Sequence, residues 1–364
     1  MARIPILSGV FDRGKTGLVY HEDYGKHMPK PGVPEVPERV TKTYEYFQET
    51  GLLSDLVLLR PEPASEEDLA RAHTREHIDY VKGISAKGYP ENAVILDQAF
   101  IGPETYNTAL LAAGGVMAAA QAVMDKTVRN CFCLVRPPGH HASKFPLGFC
   151  YFNNTAVAIK YLQAKLGVNR VAIFDWDVHA GNGTMNLFYS DPSVLKISVH
   201  RDPKDFFPGE GFISQIGEGP GRGYTMNVPL PDGAQDADYL HIMEELAAPM
   251  MRAFKPDIIF VAAGQDSHIE DQLSCMEITD DGYAAMTSRL MELADELCEG
   301  RLILTLEGGY NLDNLPRIHH AIVSTLAGKM KPQKIGGQPA QTTKDALDKL
   351  RMQLRGTPLT SAPP

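Results

Sequence analysis

Residues 172–183 read AIFDWDVHAGNG, which sets Asp175, Asp177 and His179 at every second position. In extended chain, residues two apart face the same way. Asp177 and His179 can therefore offer an oxygen and a nitrogen to one point where a strand opens into its loop. A second acid, Asp266, leaves another apolar run through the flexible AAGQD. Two carboxylates and one imidazole, with a fourth position open to water, suit a catalytic divalent metal of the zinc type. Oxygen-rich ligation also accepts Fe2+ or Mn2+. A lone Asp-x-His pair is as readily a helix cap or a salt-bridged acid, and Asp266 is what favours the metal. Asp175, one alternation deeper, can orient a catalytic histidine or hold a structural cation. Gly181 and Gly183 let the chain turn tightly without side chains blocking the ion.

Two further clusters carry chemistry. RPPGHHA supplies adjacent His140 and His141, and paired imidazoles beside an activated water can divide general-base and general-acid work. Taken alone, two neighbouring histidines are more simply structural. Tyr310 follows Gly308 and Gly309 and can aim a phenol at a developing oxyanion, although most tyrosines in such a setting merely end a strand.

These residues need elements that bring them together. Apolar runs at 131–135, 170–175, 194–199, 257–262 and 301–306 read as strands, and 108–125, 153–166 and 281–298 read as helices. Nearly continuous apolar strands separated by helices predict a parallel sheet covered on both faces. Ligands of such sheets bind beyond the carboxyl ends of the strands. Each of the five runs ends in a polar cluster: RPPGHHA, DWDVHAGNG, SVHRD, AGQDSH and EGGYN. They are expected to meet on one rim.

Composition bounds the rest. The chain has 364 residues, 43% hydrophobic and 22% charged, with net charge −10. That is the make-up of a globular protein with a large core. The scattered basic residues argue against a nucleic-acid surface. The five cysteines (Cys131, Cys133, Cys150, Cys275 and Cys298) are odd in number and sit mostly in apolar runs. They read as buried thiols of a reducing compartment rather than a disulfide framework. No run approaches the ~18 apolar residues of a membrane span, and MARIPILSGVFDRGK lacks a signal-peptide core and cleavage site. A cytoplasmic protein is expected, with residues 1–328 as one domain. Residues 329–364 read as an appended extension, mobile in part or docked. A homo-oligomer is compatible with this.

RPPGHHA, GFCYFNN, DWDVHAGNGT, AAGQDSH and LEGGYN occur in the order and approximate spacing of the zinc-dependent histone deacetylases, and TGLVYHEDY and PEVPERV are also similar to that family. The nearest likeness is to class II enzymes and their bacterial relatives, including acetylpolyamine amidohydrolases, and it covers roughly residues 16–328. It implies the arginase–deacetylase fold, a three-layer α/β domain around a mostly parallel sheet of eight strands. By motif position, Asp177, His179 and Asp266 resemble the zinc ligands, and His140 the histidine paired with Asp175. His141 resembles the general base and acid, with Asn182 as its neighbour. Tyr310 takes the place of the tyrosine that polarises the amide carbonyl. Gly148, Phe149, Phe207 and Leu273 match the channel lining, and Arg39 the acetate-release path. Structural K+ or Na+ is implied near Asp175 and Ser198, and near Phe188 and Tyr224.

The implied reaction is hydrolysis of an acetylated amine, with an acetyl-lysine-like substrate expected and acetylpolyamine or small-metabolite amides as alternatives. A ureohydrolase on the same fold would need a second metal, for which no second Asp- and His-rich strand end is found. A catalytically silent homologue would have lost Tyr310 or a ligand. Four positions depart from the family's pattern: Ala180 where a second histidine is usual, Val33 before PE, Gln265 before Asp266, and Gln272 after Asp271. They bear on substrate choice more than on chemistry.

Overall fold

Eight short strands, each followed by a polar loop, build the frame on which the site rests. In the computed structural model, which describes residues 14–87 and 100–361, they are β1 (Thr16–Val19), β2 (Leu56–Leu59), β3 (Asn130–Cys133), β4 (Val171–Asp175), β5 (Val194–Arg201), β6 (Thr225–Leu230), β7 (Ile258–Ala263) and β8 (Leu302–Leu306). The N-terminal stretch read as lacking a secretion signal begins outside the described residues. All eight strands are parallel, in the order β2-β1-β3-β8-β7-β4-β5-β6. The central strands are buried end to end, as VAIFD, IIFVAA and LILTL require of a sheet covered on both faces.

The five apolar runs became β3, β4, β5, β7 and β8 within two residues at each end. β1, β2 and β6 were not read from periodicity. TGLV and LVLL are only four residues long, and TMNVPL contains Pro229. Proline lacks the N–H a central ladder needs and is tolerated at an edge, and β6 is an edge strand.

Helices 105–124 and 154–165 pack together on one part of the sheet, and helices 38–49, 280–298 and 315–326 form a second packed group. Contrary to the sequence reading of membrane spans, Thr105–Met124 is long and apolar enough to cross a membrane, with mean hydropathy 1.3. In the fold 67% of that stretch is buried inside the protein, so its Ala-rich surface serves the core. The helix Gln341–Leu354 lies against β6. Leu347, Leu350 and Leu354 are buried there. Thr343 Oγ1 and Ala340 N both donate to Asp238 Oδ1 at 2.7 Å.

Parallel register aligns the strand ends. Asp175 pairs with Ser198 on one side and Ala262 on the other, and Ala263 pairs with Leu306. The loops that follow β3, β4, β7 and β8 therefore leave the sheet side by side.

Candidate active site

Asp177 and Asp266 leave β4 and β7 within four residues of the strand ends, fully buried. One ligand atom from each of Asp177, His179 and Asp266 lies within 4.8 Å of the others. His179 Nδ1 stands 3.2 Å from Asp177 Oδ1 and 3.1 Å from Asp266 Oδ2. Backbone amides fix the acids: Gly308 N donates to Asp177 Oδ2 at 2.8 Å, and Val178 N to Asp266 Oδ1 at 2.9 Å. The space is cut to size. A methyl group at Gly264 would meet Asp177 Oδ2 at 2.0 Å, and one at Gly308 would meet Asp266 Oδ2 at the same distance.

Charge makes the cluster costly without a cation. Burial, reinforced by Asp177, pushes the Asp266 carboxyl up to about 6. Burial works against protonated His179, but Asp177 and Asp266 outweigh it and raise the imidazole to about 9. Two crowded carboxylates and an imidazole whose ring nitrogen points between them form a donor set that a divalent cation would neutralise. The residues present thus fit the metal that the sequence implies.

The tandem histidines are set from the other side. Asn153 caps helix 154–165 by accepting from Ala156 N at 2.9 Å, and its Nδ2 donates to Thr184 Oγ1 at 2.9 Å. Thr184 N donates to His140 O at 3.0 Å. The GFCYFNN and GNGT motifs thus clamp the histidine loop. His141 Nδ1 donates to Asn182 Oδ1 at 2.9 Å, which leaves Nε2 with a free lone pair. Burial, then the neighbouring His140 and His179, hold His141 well below the usual histidine range. His140 differs. Burial disfavours its charge, but Asp177, Glu307 and Asp175 raise it to about 10. Its Nδ1 is 3.5 Å from Asp175 Oδ2 and its Nε2 3.7 Å from Asp177 Oδ2.

Tyr310 is buried. Asp271 holds its backbone, Oδ2 accepting from Tyr310 N at 2.6 Å and from Asn311 N at 3.2 Å. Arg39 lies over the ring, its guanidinium carbon 4.9 Å from the centroid. Arg39 also donates to Gly309 O at 2.6 Å, to Glu307 O, and to Glu35 Oε1 at 3.0 Å.

The lining residues divide. Phe149 lies 5.9 Å from Tyr310 and Phe207 4.9 Å from His141, centroid to centroid. Gly148 has φ +50°, and a methyl group there would strike His141 and Phe207 at 2.8 Å. Leu273 is 36% exposed. Asp175 and Ser198 are neighbours in register, but Ser198 Oγ is engaged by His200 Nδ1 at 2.8 Å. Phe188 ends helix 182–187, and the Tyr224 carbonyl accepts from Lys196 N at 2.8 Å.

Several participants escaped the sequence reading. Phe206 stacks on His179 at 4.8 Å with a 6° interplanar angle. Glu307 Oε2 accepts from Gly139 N at 2.7 Å and His140 N at 3.0 Å. Glu35 and Arg136 complete a buried ion group with Arg39, Arg136 Nε lying 2.7 Å from Glu35 Oε1. Glu307 had a usable signal, a glutamate between an apolar strand and paired glycines. The departures are accommodated. Gln265 Oε1 accepts from His319 Nε2 at 2.9 Å, Gln272 Nε2 donates to Tyr310 O at 3.0 Å, and buried Ala180 leaves room for Gly211.

A sequence profile of the histone deacetylase domain matches residues 33–326. A probable deacetylase of Archaeoglobus fulgidus is 42% identical over 317 residues, 86% of each chain. A histone deacetylase-like amidohydrolase of Pseudomonas aeruginosa is 39% identical, over 82% of this chain and 77% of its own. Histone deacetylase 5 of Arabidopsis thaliana is 40% identical over 89% of this chain, which spans only 50% of that larger protein. The crystal structure of the HDA15 HD domain superposes with TM-score 0.87 at 33% identity, covering 95% of this chain and 96% of the other. The sheet is that of the arginase–deacetylase fold, and with this match in sequence and in structure the chain belongs to the histone deacetylase family, as a deacetylase of the amidohydrolase type.

Proposed function

We propose that the protein is a zinc-dependent deacetylase that hydrolyses acetylated amines of the acetyl-lysine type and releases acetate. The observation that carries this reading is the meeting of His140 and His141 with the buried Asp177–His179–Asp266 group, His140 Nε2 standing 3.7 Å from Asp177 Oδ2 and the His141 ring 5.9 Å from that of His179. Asp177, His179 and Asp266 would hold the ion. When bound, it supplies Lewis-acid polarisation and a lowered pKa for coordinated water.

This chain's residues do the remaining work. His141, kept neutral by burial, takes the proton of the attacking water on Nε2, because Nδ1 is committed to Asn182. The Tyr310 hydroxyl donates to the oxygen of the tetrahedral intermediate. A protonated histidine of the pair then gives the leaving amine its proton. Phe149 and Phe207 flank the alkyl stem and exclude water, and Arg39 lies on the route by which acetate leaves.

Substrate class rests on the mouth. An acetylpolyamine places a second cation at a distance from the amide, and recognition needs a free acid. Leu273 offers none. Asp271 is buried with its oxygens on the amides of Leu273, Tyr310 and Asn311. Glu270 is occupied by Arg317 and Asn314, both at 3.3 Å. An acetyl-lysine-like amide is therefore favoured over polyamines. The deciding test is a comparison of kcat/KM for an acetyl-lysine peptide, acetylspermidine and acetylputrescine on metal-replete protein. A polyamine advantage of ~100-fold, about 2.7 kcal/mol, would reverse the assignment. Five free cysteines support a reducing compartment, the cytoplasm.

A further inference from the structure

β5 alternates Lys196, Ser198 and His200 on one side. The last two satisfy each other, and His200 Nε2 reaches Gly211 O at 2.9 Å. Lys196 does not have this option. Among the described residues it is the only buried lysine, 1% exposed. Its Nζ stops 3.5 Å from Asp175 Oδ2, and the same oxygen lies 3.5 Å from His140 Nδ1. Lys196 Nζ, Asp175 Oδ2 and His140 Nδ1 are all buried with no hydrogen-bond partner. Asp175 has little freedom to turn elsewhere. Its Oδ1 accepts from Asp177 N at 3.3 Å, and a methyl group at Gly181 would lie 2.2 Å from Oδ2.

A buried ammonium is tolerated only beside a compensating charge. Here the one within reach is the carboxylate that His140 also addresses. We propose that Lys196 is a positioning residue for the reaction. Its ammonium neutralises Asp175 and holds Oδ2 in line with His140 Nδ1, so that the chain carries its own cation at a carboxylate that would otherwise need one from solution. Lys196 acts on the reaction only through Asp175. The kinetic part of this inference rests on the proposed deacetylase reading, whereas the electrostatic part does not.

The test uses full-length, metal-replete protein in ammonium, potassium and tetramethylammonium chlorides at equal ionic strength. Lys196→Met keeps the stem and removes the charge, and Lys196→Ala also opens space for a small cation. On an acetyl-lysine peptide the wild type is indifferent to the cation. Lys196→Met loses about tenfold or more in kcat with KM within about twofold. Lys196→Ala loses as much, and ammonium or potassium restores at least about fivefold while tetramethylammonium does not. Its melting temperature likewise gains more from ammonium over tetramethylammonium than the wild type's does. A Lys196→Met enzyme with wild-type kcat overturns the proposal, as does a Lys196→Ala protein that behaves alike in all three salts. A wild type whose kcat itself requires potassium or ammonium also overturns it, and this arm decides the matter if both variants fail to fold. If the wild type hydrolyses no acetylated amide, the functional reading fails by itself, and the melting comparison still judges Lys196.

Discussion

At the scale of single residues, three side chains have separable jobs. His179 faces Asp177 and Asp266, and Asp266 accepts from Val178 N; their truncation should empty the metal site without unfolding the protein. Metal analysis of His179→Ala and Asp266→Ala is expected to show occupancy and activity falling together, and full occupancy in both would refute the ligand set. Tyr310→Phe removes a hydroxyl and leaves the ring against Arg39 and Phe149. Turnover should fall by roughly 10²- to 10³-fold, the cost of one oxyanion donor, with metal content and melting temperature unchanged. A near-normal kcat would make Tyr310 structural. The donor types and their two-residue spacing were legible in DWDVHAGNG. Lys196 and Phe206 were not, because a lysine or a phenylalanine in a strand or loop acquires a role only from what the fold sets against it.

At the scale of elements, the loop after β8 matters because it carries Tyr310, and the Asp271 carboxylate holds the amides of Tyr310 and Asn311. Asp271→Asn keeps the shape but removes the charge from three backbone contacts. A charge-assisted bond is about twice as strong as a neutral one. We therefore expect roughly a tenfold fall in kcat, about 1.4 kcal/mol, at constant metal content, and unaltered kinetics would show the loop is held otherwise. The helix Gln341–Leu354 makes a different prediction. Removing residues 329–364 takes away the buried Leu347, Leu350 and Leu354 and uncovers the β6 edge they pack against. At ~2 kcal/mol per buried leucine, offset in part by the freed entropy of the tail, the melting temperature should drop by several degrees. An equal melting temperature would mean the helix adds nothing to the body.

For the whole molecule, acid sensitivity should come from buried histidines outside the metal group. His73 is pushed down to about 3 by burial, aided by His77, while its ring accepts from Asn153 N and faces Ser143 O. His319 is pushed down to about 3 by burial and by Arg39, between Thr43 and Gln265. Both stay neutral in the fold but take up a proton near 6.5 once unfolded. Below that value the unfolded chain binds more protons, so stability falls as pH drops, by about 1.4 kcal/mol per pH unit for each histidine. Urea midpoints should decline steadily from pH 6.5 to pH 4, and a flat profile across that window would contradict the account.

By itself the sequence determined the strand–helix alternation, the five central strands and the identity of the acids, histidines and tyrosine, since periodicity and residue type are local properties. Only the tertiary structure decided that parallel register lines up the ends of β3, β4, β7 and β8, and that Gly264 and Gly308 leave room for two carboxylates. It also decided that Lys196 is buried against Asp175. Those facts depend on distances between segments far apart in the chain, as in the bond from Gly308 to Asp177 across 131 residues. No spacing along the chain encodes such a distance, and close packing of the core sets it.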